Sequence, residues 1–136
     1  QPNLRTSMTI KYSVVCPTLR WMGYDVLEEP DQILATIKAT GYDGADLPVD
    51  MERIDPKKTR QLVESLGLEI PEVMGVWGSA HCGEHRDLAG SNTQSWERAI
   101  EYATTAIDLA SSLGAQFVNV CASQPLVFWS LSTRKV

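Results

Sequence analysis

No apolar run in these 136 residues approaches the ~20 that a membrane-spanning helix needs, and the N-terminus carries no apolar leader segment. Positive charge is also short: 12 Lys and Arg stand against 17 Asp and Glu, for a net charge of −5 and a pI near 4.9. Contacts to phosphate need clustered cations, so this balance argues against a nucleic-acid partner. Cysteine is sparse and odd in number, three in scattered positions. That favours a reducing cytoplasm over a disulfide framework. The glycine-rich turn of a dinucleotide-binding fold is missing too, because the first strand candidate runs into Cys16-Pro17-Thr18-Leu19, and no Walker loop occurs elsewhere. What is present is ample core material: 43% hydrophobic residues, 21% charged and four Trp, enough for one folded domain. The polar start, residues 1–7 (QPNLRTS), is set aside as a tail.

The most legible stretch is residues 91–122. Trp96, Ile100, Ala103, Ile107, Ala110 and Gly114 recur at steps of four and three, which places them on one helical face, widened by Ala99, Ala106 and Leu113. Ser91 with Gln94 predicts a capping box at the helix start, and Gly114 a left-handed stop. A buried strand is predicted to follow at residues 116–121.

Earlier segments repeat the pattern. Residues 9–16 (TIKYSVVC) read as a strand stopped by Pro17, and Pro30 with Asp31 starts a helix that Gly41 ends. Residues 42–47 form a second strand closed by Pro48. Asp55-Pro56 opens another helix, with Leu62, Val63 and Leu66 inward and Gly67 as its stop. Residues 68–76 make a third strand, in which Pro71 counts against regularity, and a loop over residues 77–90 carries both histidines. The order β-α-β-α-β-α-β implies an α/β fold with a parallel sheet and right-handed crossovers. Without a phosphate loop, part of a (β/α)8 barrel is favoured over a doubly wound sheet.

The segments TGYDGADL (40–47), LVESLGLEI (62–70) and ERAIEYATTAIDLASSLGAQFVNV (97–120) resemble, in order and spacing, the sugar phosphate isomerase/epimerase family of xylose-isomerase-like TIM barrels. The resemblance covers residues 8–123 and implies about half of a barrel whose full size is about 250 residues. It implies a divalent metal, Mn, Mg or Zn, held by carboxylates and histidines that lie mostly on later strands, and a small sugar or polyol as substrate. Residues 124–136 are read as a divergent tail with an apolar run, Leu126-Val127-Phe128-Trp129. A truncated barrel, inactive by itself, is the resulting expectation. Its open strand edges predict a homodimer, a higher assembly, or an open sheet.

Barrel active sites form at the C-terminal strand ends. Candidates there are Asp46, matching the acidic residue that ends the family's second strand and faces substrate, and Trp21 and Trp77 as an apolar wall for a sugar ring. A loop-capping role for Asp46 and a core role for each Trp are the plainer alternatives. His81-Cys82-Gly83-Glu84-His85 gathers imidazole, thiolate and carboxylate within one short stretch, although the spacing matches no zinc signature. His81 is the better metal candidate of the two histidines, because family members often carry one after the third strand. Cys121 stands where the resemblance places a histidine. Cys16 and Cys121 are expected to be buried small hydrophobes, and Glu28 and Glu29 to face water. Two rivals to the isomerase reading remain: a non-catalytic, self-associating half-barrel, and an endonuclease-type relative that binds zinc through histidines after strands three and four. Cys121 and the acidic pI weigh against the latter.

Overall fold

The computed structural model describes residues 9–75 and 86–122. Four strands, β1 (Ser13–Val15), β2 (Gly44–Pro48), β3 (Glu72–Gly75) and β4 (Phe117–Val120), form one all-parallel sheet in the order β1-β2-β3-β4. Helices α1 (Cys16–Leu19), α2 (Pro30–Ala39), α3 (Pro56–Ser65) and α4 (Thr93–Leu113) occupy the connections. Chain order equal to sheet order, with a helix at every crossover, is the arrangement expected for part of a TIM barrel.

Local chemistry sets the boundaries. Asp55 caps α3 by accepting from the Lys57 and Lys58 amides, both at 3.1 Å, and Pro56 needs no amide partner there. Gly114 ends α4 at φ 76°, a conformation that strains any residue with a Cβ. Three expectations need correction. The first strand is only three residues long, because Cys16 and Pro17 already turn into α1 and a 3-10 turn at Arg20–Met22. The cap of α4 is Asn92, whose Oδ1 accepts from the Ser95 amide at 2.9 Å, rather than Ser91. The inward face of α4 is also rotated: Ala99, Ala106, Leu109, Ala110 and Leu113 are buried, while Trp96, Ile100 and Ile107 stand 46%, 43% and 57% exposed. Both sets keep helical spacing, and the alanines win because a helix lies closest to a sheet along its smallest side chains.

The core lies between sheet and helices. Val14, Ala45, Leu47, Val73 and Val118 face Ile33, Leu34 and Ile37 of α2, Val63 of α3 and Leu109, Ala110 and Leu113 of α4. Each large side chain sealed there contributes about 1.5–3 kcal/mol through removal from water.

One irregularity shapes the opposite face. The Gly44–Glu69 bridge and the Leu47–Val73 pair differ in offset by one residue, so residues 70–72 hold an extra residue at Pro71. Ile70 and Val73 consequently both enter the core, which strict alternation forbids. Proline suits this bulge because it has no amide to lose, and its carbonyl accepts from both Gln116 and Phe117 at 3.1 Å.

Candidate functional site

The sheet face turned away from the helices carries Ser13 and Val15 from β1, Asp46 and Pro48 from β2, Glu72 and Met74 from β3, and Phe117 and Asn119 from β4. Asp46 is its centre. It is only 8% exposed, and the Ser13 hydroxyl donates to its Oδ1 at 2.7 Å. Burial pushes the Asp46 carboxyl above its ordinary value; the Ser13 hydrogen bond opposes this and the nearby Glu72 charge adds to it. Glu72 follows the bulge and is brought level with Asp46, one residue before the Leu47–Val73 pair. Its Oε1 is buried with no hydrogen-bond partner. Asp46 does not end its strand as expected from the sequence, since β2 continues two residues to Pro48 and leaves Asp46 in the middle layer of the sheet.

At the C-terminal rim, two connections are tied together. Arg53 reaches Asp50 through Nε at 2.8 Å and Asp25 through Nη1 at 3.3 Å, and Arg20 Nε also approaches Asp25 at 3.3 Å. This joins the loop after β1 to the loop after β2. Trp21 lies in the same connection, 87% exposed, and is not packed with buried Asp46. Trp77, His81, Cys82 and His85 fall outside the described residues.

The cysteines diverge. Cys16 is buried, and burial with the Asp46 charge nearby pushes its thiol up to about 12, so it is no nucleophile at neutral pH. Cys121 is exposed at the end of β4, contrary to its expected burial, because the chain leaves the sheet after Val120. Glu28 and Glu29 are exposed, as expected. A shallow groove of about 580 Å³ bounded by Asp55, Lys57, Arg60, Glu64 and Ser112 lies between α3 and α4, on the helix side and away from Asp46.

Residues 34–134 match a family described as xylose isomerase-like TIM barrel. The chain belongs to that family. The matched stretch runs past Ser123 into the segment 124–136. Comparison with curated proteins returned no match. Metal dependence is common in the family, yet among the described residues no three His, Cys, Asp or Glu side chains gather into a possible metal site. Asp46 and Glu72 offer only two carboxylates at one point, so these residues by themselves do not fit a divalent-metal site. No helix among them is long and apolar enough to cross a membrane.

Sequence reading alone missed Ser13, Glu72 and the Asp25–Arg53–Asp50 link. For Glu72 a signal existed: a charge inside an otherwise apolar strand, directly after a proline. The Arg53 link gave none, because its acids look like ordinary turn residues.

Proposed function

We propose that these β/α units belong to an isomerase or epimerase of a small sugar, sugar phosphate or polyol, in which Asp46 contacts a substrate hydroxyl. The observation that carries this reading is a nearly buried carboxylate, held by Ser13, on the polar face that a family barrel turns inward. A carboxylate accepts hydrogen bonds from polyol hydroxyls, and Ser13 fixes its orientation at no cost in charge. Trp21 and Trp77 act as the apolar wall beside the sugar ring, and His81 and His85, which follow β3 in the sequence, are the metal candidates. Proton transfer next to the carbonyl needs a further acid and base, which the family resemblance puts mostly on later strands, and turnover by these 136 residues alone is not expected. The protein works in a reducing, cytoplasmic setting, in keeping with the free thiols of Cys16 and Cys121.

Ligand-observed NMR against a panel of aldoses, ketoses and polyols tests this. Weak binding that disappears in Asp46→Asn is expected, and no binding to any member of the panel would sink the reading. Interconversion of any panel sugar by the 136-residue chain would refute the division of labour between strands.

A second reading, a self-associating module without catalysis, is favoured by the exposed Trp96, Ile100 and Ile107 and by the unpaired outer sides of β1 and β4 among the described strands. Native mass spectrometry separates the two. A dimer of 15.0 kDa chains without metal supports the module. A metal on the chain points back to His81, Cys82 and His85.

A further inference from the structure

We propose that Arg53 straps the turn over residues 20–25 to the C-terminal rim, and that this turn, which carries Trp21, opens as a unit when the strap is broken. The turn stands off the body of the fold. Trp21, Met22 and Tyr24 are all exposed, and a Cβ added at Gly23 would meet nothing within 4 Å. Its backbone hydrogen bonds are local: the Gly23 amide donates to the Arg20 carbonyl and the Tyr24 amide to the Leu19 carbonyl, both at 3.1 Å. The chain is anchored at the two shoulders of the turn, by Leu19 before it and by Val26 and Leu27 after it, which pack against the core.

Asp25 is where the turn meets a second loop. Its side chain is 13% exposed, and both carboxylate oxygens are engaged. Oδ1 accepts from the Leu27 amide at 2.9 Å, which sets the direction of the carboxylate. Oδ2 faces Arg20 Nε from within the turn and accepts from Arg53 Nη1, each at 3.3 Å. The Arg53 bond spans 28 positions of chain, from the loop after β2 to the loop after β1.

Arg53 is itself held from the β2 side. Its amide and its Nε both donate to Asp50, at 3.1 and 2.8 Å. The Ile54 amide donates to the Asp50 carbonyl at 3.0 Å, and the Ile54 side chain is buried. The guanidinium therefore presents its other arm to Asp25 from a fixed position, and little side-chain freedom is lost in closing the link. Two arginines balance two acids across it. Lysine, with one compact ammonium, does not reproduce the fork that holds Asp50 and Asp25 together. The place of Trp21 beside a sugar rests on the function proposed above, whereas the strap is a property of the fold and is tested without a ligand.

The test is amide hydrogen exchange, read by mass spectrometry on the full 136-residue chain, comparing residues 20–29 with residues 68–75 in the same sample. In Arg53→Met we expect exchange over residues 20–29 to quicken about three- to fivefold, with residues 68–75 unchanged. Arg53→Lys should fall between that variant and the unaltered chain. Asp25→Asn keeps an acceptor for the Leu27 amide and should match Arg53→Met, and combining the two should add nothing further. In the unaltered chain, sodium chloride at about 1 M should quicken the same residues, and Arg53→Met should no longer respond to it. Should Arg53→Met fail to fold, Asp25→Asn and the salt response of the unaltered chain decide the matter. Unchanged exchange over residues 20–29 would overturn the proposal, because Leu19 and Val26 would then hold the turn by themselves. Equal quickening at residues 68–75 would also overturn it, by making Arg53 a support of the whole sheet.

Discussion

The two faces of the sheet are built from alternate residues of the same strands, yet they obey different rules. On the helix side, Val14, Ala45, Leu47, Val73 and Val118 form an unbroken apolar layer with no charge in it. On the other side, Ser13, Asp46, Glu72 and Asn119 put polar groups on the alternate positions, two of them acidic. The first face stores stability, since every side chain there is interchangeable with another of similar volume. The second keeps groups that destabilise the sheet, which is the usual mark of a surface retained for chemistry.

Substitutions can break this contrast. The largest effect is expected on the helix side: Leu109→Ala or Leu47→Ala should cost about 2–5 kcal/mol in urea unfolding, because both side chains are sealed and leave a cavity. Gly75→Ala should follow at about 1–3 kcal/mol, since an added Cβ would lie 3.1 Å from the Tyr102 ring and 3.2 Å from the Asn119 carbonyl, and the latter is backbone that cannot swing away. Removing the α3 cap with Asp55→Ala should cost about 1 kcal/mol, visible as a lower urea midpoint. On the polar face, Asp46→Asn should leave stability near pH 7 unchanged or raised, because it removes a buried charge beside Glu72 and keeps an acceptor for Ser13. A loss of several kcal/mol there would end the distinction between the faces. The smallest effect should come from Ile107→Glu, within about 0.5 kcal/mol for a monomer. A dilution-dependent loss of stability would show that the outer flank of α4 is covered in an assembly.

How much of this was readable beforehand depends on how local its cause is. The four strands, their parallel order and the stops at Gly41, Gly67 and Gly114 follow from short-range periodicity and backbone chemistry, and all three glycines take positive φ. The rotation of α4 was not readable, because Trp96-Ile100-Ile107 and Ala99-Ala106-Leu113 are equally good helical stripes until a sheet decides between them. The polar face fared the same way. Asp46 stands out as an acid in a strand, but the position of Glu72 depends on a one-residue change of offset between the β2 and β3 segments. Pro71 reads as an irregularity in the sequence itself, while its effect on the position of Glu72 follows only from the strand pairing.

The plain succession of strands, each beside the next in the chain, has a dynamic consequence. Among the described strands each pairs with its chain neighbours alone, so an opening at one edge of the sheet need not reach the other edge. Amide exchange should therefore form a gradient along the sheet. It should be slowest at β2 and β3, which have neighbours on both sides, and faster toward β1 and β4.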